Sequence, residues 1–574
     1  MTDRTNETNL ESNSTSNPAT RKVLSLTICL SLGVVVLCAV ITYLFIERND
    51  LQKQLTENQQ ELLTKQKIAV HQALKTENLL ARDVARATQR TERTLAQLNT
   101  LKQRLLLEQA KVQRLRDVTG KYATQLPMKY KDCNLVFVSF DALQAGHVGF
   151  LGYPRNVTPT IDRIAEQSFA FQHAYSVASW TVPATFSWFT GVYPSEHRMV
   201  NKFAVYQPPV KKMAKLKNLA PNLVTLAEIM KQNGYTTAGF TGNAGVSGGF
   251  GYETGFDIYY YPKATFGRLD GSVPRAIRWI EQHKEKKFFL FLHGYDVHGQ
   301  SAPAEWFDYR FVDAGYDKRY TGSPREQERL REEGLQKGKL TLRDQDVRFW
   351  RAIYDEKIHR ADAHFQTFLT KMDQLGLTKK TLFVLTSDHG TEFYEHRRFD
   401  HGFTLYNELL HVPLFIKLPG QTPGRIIPDR VSSIDVLPTI LDLLDVEIPT
   451  VAQKQFHGKS LAPALRGNPV KRDVFSETDY REYTFKRSII TPTGWKLIYT
   501  LEDKTRELYN LATDPGEQNN LVDTEPAEAD RLEQKLFAHF QSIGHDLTKK
   551  NWKTGLNPVY NSQAKDQTQY HKGK

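Results

Sequence analysis

Three short, continuous apolar runs constrain this chain more than any other feature. Asn134–Phe140, Phe288–Leu292 and Leu382–Ser387 are too short for ordinary helices and show no polar alternation. They read as strands buried on both faces. Thr236–Thr241 reads as a fourth strand, and Thr158-Pro-Thr-Ile-Asp-Arg-Ile-Ala165 starts a helix between the first two. Strands alternating with helices predict an α/β fold, a mainly parallel sheet with helices on both sides. Such sheets gather ligands at the carboxyl ends of their strands. Asp141 directly follows the first run, and Asp388-His389-Gly390 follows Leu382–Ser387. The glycine-rich Gly242–Gly251 follows Thr236–Thr241, and His293-Gly-Tyr-Asp296-Val-His298 follows Phe288–Leu292.

A hydroxyl joins this set at Thr181. In Ser176-Val-Ala-Ser-Trp-Thr181-Val-Pro183-Ala-Thr-Phe-Ser-Trp-Phe-Thr-Gly191, loop chemistry gives way to a short amphipathic helix that stops at the glycine. Pro183 fits a first helical turn, so Thr181 lies at or just before the helix start. There it faces unsatisfied N–H groups and the positive end of the dipole, a seat for phosphate or sulfate. Aspartate oxygens, an imidazole and a hydroxyl suit one divalent metal, held by Asp141, Thr181, Asp388 and His389, with zinc or manganese ahead of calcium or magnesium. Such a cation would make Thr181 a nucleophile, and His298 and His401 would hold ester oxygens or protonate the leaving group.

The ends carry no chemistry of their own. Val23–Ile46 holds no charge over 24 residues and lacks a small-residue cleavage site after it, so it reads as a permanent transmembrane anchor. Residues 50–118 contain neither Pro nor Gly, with a heptad seam cleanest at Leu98, Leu101, Leu105, Val112 and Leu115. They read as a coiled-coil stalk that would pair copies of the chain into a homo-oligomer, on the order of 100 Å long if fully helical. The net charge of +12 is spread over the stalk, the charged stretch Tyr320–Asp346 and the tail. That spread disfavours nucleic acid and favours an anionic substrate or membrane surface. Cys29 and Cys38 lie inside the anchor, leaving Cys133 alone downstream, so no disulfide staples the main domain.

From Cys133 to Phe537 the chain resembles the sulfatase family of the alkaline-phosphatase-like superfamily. The stretches that carry the resemblance are Leu135–Asp141, Thr158–Asp162, Thr190–His197, Ser387–His396, Asp400–Tyr406, Ile434–Ile440, Gly458–Leu461 and Glu507–Glu517. It implies an α/β/α core and a smaller C-terminal antiparallel subdomain that includes Ser488–Tyr499. It also implies metal ligation by Asp141, Asp388 and His389, attack by Thr181, and substrate or leaving-group contacts from His298 and His401. An external catalytic domain behind an N-terminal anchor is implied by the same resemblance. The expected organisation is a tail at 1–22, anchor at 23–46, stalk at 50–118, catalytic core at 133–470, C-terminal subdomain at 471–545 and basic tail at 546–574.

The departures from that pattern carry as much information. Sulfatases have Cys or Ser followed by x-Pro-x-Arg and convert the first residue to formylglycine; this chain has Thr181-Val-Pro183-Ala-Thr185. Gly146 stands where many members have a second metal-binding aspartate, His389 where they usually have asparagine, and Asn243 near their substrate lysine. The ligand set looks like the threonine-nucleophile branch, which includes lipoteichoic acid synthase and the phosphoethanolamine transferases. The expected function is a membrane-anchored, metal-dependent hydrolase of sulfate or phosphate esters, phosphate favoured. A transferase of phospho-headgroups to a lipid or glycan, and an inactive anchored scaffold, are the alternatives. His293, His396 and His411 are expected to serve structure or to support the ligands from behind, and not to act in catalysis.

Overall fold

The computed structural model describes residues 35–43, 84, 88, 91 and 129–549, except 201–202, 208–209, 214, 263–265, 421–423 and 481–483. The chain divides into two units, Met1–Glu108 and Gln109–Lys574. In the first, residues 35–43 are helical and exposed, and 84, 88 and 91 are helical. The rest of the expected anchor, nearly all of the stalk, and residues 550–574 of the basic tail lie outside the described residues. Among the described residues no helix is long and apolar enough to cross a membrane. The expectation of a single-pass membrane protein with an extracytoplasmic catalytic domain is therefore not upheld.

The second unit is built on an eight-stranded sheet. In chain order its strands and the hairpins beside it are β1 (Asn134–Phe140), β2 (Phe169–Tyr175), β3 (Phe203–Gln207), β4 (Val210–Met213), β5 (Thr236–Phe240), β6 (Ile258–Tyr260) and β7 (Phe288–Gly294). β8 (Thr381–Thr386), β9 (Glu392–Phe393), β10 (Phe399–Asp400), β11 (His411–Lys417) and β12 (Arg425–Ser432) come next. The sheet order is β12-β2-β11-β8-β1-β7-β5-β6, while β3–β4 and β9–β10 form separate two-stranded ribbons. β1 runs parallel to β7 and β8, β5 to β6 and β7, and β12 to β2. β11 runs antiparallel to both its neighbours. Because β1 sits between β7 and β8, the loops leaving these three strands open at one place on the sheet edge.

Both faces of the sheet are dry, which explains the continuous apolar runs. Leu135 and Phe137 of β1 join one core with the helices α2 (Thr181–Thr190) and α6 (Val436–Leu443). Val136, Val138 and Phe140 point the other way, into a core with α1 (Pro159–Ala165), α3 (Leu269–His283) and α5 (Asp344–Gln374). Alternate residues of one strand thus feed two helical layers, giving the expected α/β/α core. A second sheet, β13 (Val474–Tyr480), β14 (Thr484–Ile490), β15 (Trp495–Thr500) and β16 (Arg506–Asn510), is antiparallel throughout. It packs on α7 (Pro526–Ser542) through Ile489, Leu497, Leu508, Leu532 and Leu536. The turn expected inside Ser488–Tyr499 joins β14 to β15.

One expectation about α2 is corrected. The helix is not amphipathic: all ten of its residues are buried. It lies between the sheet and the elements outside it, where a polar face would have no solvent. Trp188 and Phe189 anchor it to the sheet, with ring centroids 5.3 Å from Phe137 and 4.9 Å from Phe291. Each such pair contributes about 0.5–1.5 kcal/mol beyond simple burial. The aromatic anchor fixes the helix, and with it the residue at its first turn.

Candidate active site

Thr181 is the first residue of α2, preceded by extended Trp180; the helix ends at Gly191, whose φ of 68° suits a residue without a Cβ. Its hydroxyl Oγ1 donates to Asp141 Oδ2 at 3.2 Å and lies 3.3 Å from His389 Nε2. Asp141 directly follows β1, and Asp388 and His389 follow its neighbour β8, so adjacent parallel strands deliver all three. Ligand atoms of Asp141, Asp388 and His389 lie within 4.8 Å of one another, all buried. Asp388 Oδ1 accepts the N–H of Ala142 at 3.1 Å, and Ala142 holds a left-handed φ of 57° to present it. A non-glycine residue there stores strain of about 1–3 kcal/mol, the kind of cost found at functional sites.

The residues present fit a divalent cation. Among the described residues Asp141 Oδ1 and Asp388 Oδ2 find no hydrogen-bond partner, and both are buried. Burial first, and then the charge of Asp388, push the Asp141 carboxyl well above its ordinary value. Burial alone would raise Asp388 too, but the adjacent His389 and His293 hold it below. Two carboxylates confined this way remain costly until a cation joins them. His389 Nδ1 donates to the carbonyl of Gly390 at 2.7 Å, which turns the Nε2 lone pair toward Thr181. A backbone carbonyl behind a ring nitrogen is how proteins orient ligating histidines. Among the described residues one other group brings such atoms within 4.8 Å, Glu392, His396 and Glu408. There His396 is already committed, to Glu408 at 2.6 Å and the Glu517 carbonyl at 3.0 Å.

His298 and His401 border the same cluster. The His401 ring is 4.3 Å from that of His389 and 5.1 Å from that of His298, which stacks on Phe266 at 4.5 Å. Burial, and then His401, push the His298 imidazole well below its ordinary pKa, so it is neutral. All six expected site residues therefore converge. His293 sits behind Asp141: Nδ1 is 2.6 Å from Ser139 Oγ and Nε2 is 3.7 Å from Asp141 Oδ2. His411 does serve structure, with Nε2 2.9 Å from the Gln172 carbonyl.

The departures from the family pattern also have places. Thr185, standing for arginine, donates to the Thr181 carbonyl at 2.6 Å and meets Tyr252 Oη at 2.5 Å. Tyr252 stacks on Phe186 at 3.8 Å, so an aromatic ring fills space beside the first turn of α2. A Cβ at Gly146 would meet nothing within 4 Å, so crowding at that atom does not account for the missing aspartate. Asn243 opens the short turn Ala244–Val246, which lies over Thr181. A Cβ at Gly245 would fall 2.8 Å from both Cβ and Cγ2 of Thr181. We therefore expect Gly245→Ala to push Thr181 aside and cut turnover by about 10²-fold, the usual cost of a 1 Å misplacement. Circular dichroism and turnover of the variant check this; undiminished turnover would show that the turn yields instead.

Two supporting residues escaped sequence reading. Lys357 lies mid-helix in α5 and donates to the carbonyls of His298 at 3.1 Å and Gly299 at 2.6 Å. Its signal was a lysine on an otherwise apolar helix face. Burial pulls its pKa down to about 7. Between pH 7 and the unfolded value of 10.5 the unfolded chain holds a proton here that the folded chain has released. Stability from this position therefore rises with pH across that window. The melting temperature of wild type relative to Lys357→Met should climb from pH 7 to pH 10; a constant difference would mean an unperturbed amine. The second is Arg331: the charged stretch Tyr320–Asp346 contains α4 (Pro324–Lys337), which buries Gln327, Leu330 and Arg331.

A parallel-sheet α/β/α core thus sets a helix-start hydroxyl among buried carboxylates and imidazoles. The sulfatase family profile matches residues 133–446, more than half of the chain, and the N-sulphoglucosamine sulphohydrolase C-terminal profile matches 394–544. The chain belongs to the sulfatase family. The enzyme class expected from the sequence, a sulfatase-family ester hydrolase, is the class this membership defines. Arylsulfatase K of Xenopus laevis is 29% identical over 208 residues, covering 34% of this chain and 37% of that protein. The match thus spans well under half of that relative. Delta 4,5-hexuronate-2-O-sulfatase of Bacteroides thetaiotaomicron is 23% identical over 420 residues, covering 68% of this chain and 84% of that one. A structure solved with D-glucosamine-2-N,6-O-disulfate shares the fold at TM-score 0.54 and 20% identity, covering 73% of this chain and 100% of that one.

Proposed function

We propose that this chain is a metal-dependent ester hydrolase that works through Thr181 and turns over phosphate esters, phosphodiesters best, ahead of sulfate esters. The observation that carries it is the Thr181 hydroxyl between Asp141 Oδ2 and His389 Nε2. A divalent cation held by Asp141, Asp388 and His389 supplies charge neutralisation and a lowered hydroxyl pKa. Thr181 Oγ1 passes its proton to Asp141 Oδ2 and bonds to phosphorus, and the P–O bond to the leaving alcohol breaks. That oxygen takes its proton from the His298–His401 side of the site. Water then attacks phosphorus, the phosphothreonine bond breaks, and Thr181 recovers its proton.

The preference comes from the nucleophile. Formylglycine hydrate has a second hydroxyl and can expel sulfate by C–O cleavage. Threonine has none, so its ester must be opened at phosphorus or sulfur; phosphothreonine can be opened at a metal site, whereas sulfothreonine accumulates. The names of the relatives favour sulfate as the second reading. Turnover of 4-nitrophenyl sulfate, 4-nitrophenyl phosphate and bis(4-nitrophenyl) phosphate by wild type and Thr181→Ala separates them. Repeated turnover of the sulfate alone, lost in Thr181→Ala, would replace the phosphate reading with the sulfate one. Undiminished activity in Thr181→Ala would end the threonine mechanism.

A further inference from the structure

His298 and His401 are held by one connected chain of groups to which the proposed hydrolysis assigns no step. Asp400, at the end of β10, is completely buried. Its Oδ1 lies 2.5 Å from His401 Nδ1, a short ion-pair contact made side by side along the chain and not as a linear hydrogen bond. Its Oδ2 accepts Gln300 Nε2 at 2.7 Å and faces the guanidinium of Arg331 at 3.7 Å. Arg331 comes from α4, which puts the charged insertion one group away from His401. Gln300 works on the other ring as well: its backbone N–H donates to His298 Nδ1 at 3.3 Å. Burial alone would raise the Asp400 carboxyl, but the charges of His401 and Arg331 hold it well below the ordinary range, so it is an anion. The backbone at Asp400 is left-handed, φ 77°, a cost accepted at this one place in the β9–β10 ribbon.

These contacts give the rings opposite duties. A ring whose Nδ1 accepts an N–H is neutral and carries its proton on Nε2, which describes His298. The other ring, His401, has its Nδ1 against the Asp400 carboxylate instead, so the two rings are held by groups of opposite kind. We propose that Asp400, anchored by Gln300 and Arg331, is a positioning residue that sets His401 as the proton donor to the leaving alcohol, while Gln300 sets His298 as a neutral hydrogen-bond donor to the ester oxygens. This deepens the hydrolase reading and rests on it. His401 is the group whose work depends on the alcohol's basicity, and His298 is not.

The test varies the leaving group. Asp400→Gly removes the carboxylate while suiting the left-handed backbone, and Asp400→Asn, also tolerant of that backbone, keeps the shape without the charge. Each is compared with wild type, His298→Ala and Arg331→Met on phenyl and 4-nitrophenyl members of whichever ester class wild type turns over. Asp400→Gly should lose about 10²-fold or more on the phenyl ester, the scale of a lost general acid, and far less on the nitrophenyl ester. Asp400→Asn should lose less, Arg331→Met should lean the same way, and His298→Ala should lose equally on both esters. Equal losses on both esters for Asp400→Gly would overturn the assignment and leave the hydrolase reading intact. A crystal structure of Asp400→Gly gives a readout free of turnover: the His401 ring should leave its place against His389. An unmoved ring would also overturn the proposal. Wild type inactive on every ester would end the hydrolase reading, and the ring position would then decide the role of Asp400.

Discussion

Asp388→Asn is expected to empty the metal site and to cut turnover by about 10³-fold or more, the two losses occurring together. Asn can still accept the N–H of Ala142, so the loop after β8 should hold its shape. What it removes is the charge at Oδ2, a buried carboxylate oxygen with no hydrogen-bond partner among the described residues. His401→Ala should behave differently, losing about 10²–10⁴-fold in turnover while the cation stays bound. The ring of His401 lies against His389, but the ligand atoms that gather belong to Asp141, Asp388 and His389, and its own Nδ1 faces Asp400. Elemental analysis of purified wild type and both variants is the check. Two empty variants would place His401 among the ligands and redraw the division between holding the cation and moving protons.

The second large effect belongs to Thr181. Thr181→Ala should cost at least about 10³-fold on the best ester, because no other described hydroxyl reaches both Asp141 and His389. Thr181→Ser should recover part of the loss: serine keeps the oxygen but drops the methyl that packs against Gly245, so its hydroxyl has more rotational freedom. With a sulfate ester, wild type should release about one equivalent of alcohol and then stall, since sulfothreonine has no intramolecular exit. Steady multiple turnover of sulfate without a burst would contradict that account.

The catalytic half of the fold was legible because burial leaves a simple mark. A strand covered on both faces cannot carry polar residues, so β1, β7 and β8 announce themselves, and the sheet places the residues just beyond their carboxyl ends. Asp141, Asp388 and His389 were visible for that reason. Thr181 was visible through Pro183 and Gly191, which frame the helix. The helix's surroundings were not: an apolar periodicity of 3.6 looks the same whether the weaker face meets water or Phe456 and Phe186's stacking partner Tyr252. Arg331 and Lys357 were missed because a charged residue on a helix is nearly always solvated, and only tertiary packing reveals one that is not. Asp400 stood in a stretch matched to the family, yet its function depends on Gln300 and Arg331, 100 and 69 positions away in sequence, which no local pattern connects. The membrane expectation rested on hydropathy, the missing cleavage site and the family resemblance, and among the described residues no helix is long and apolar enough to cross a membrane.

The covalent step through Thr181 is the claim on which the rest depends. Rapid acid quenching of wild type during turnover of a phosphodiester, then mass spectrometry of the peptide spanning Ser176 to Gly191, tests it most directly. The account predicts a phosphoryl-ester adduct on Thr181, absent in Thr181→Ala and longer-lived in His401→Ala if His401 also serves the water step. An unmodified Thr181 in enzyme caught turning over substrate, at time points spanning the first cycle, would contradict it.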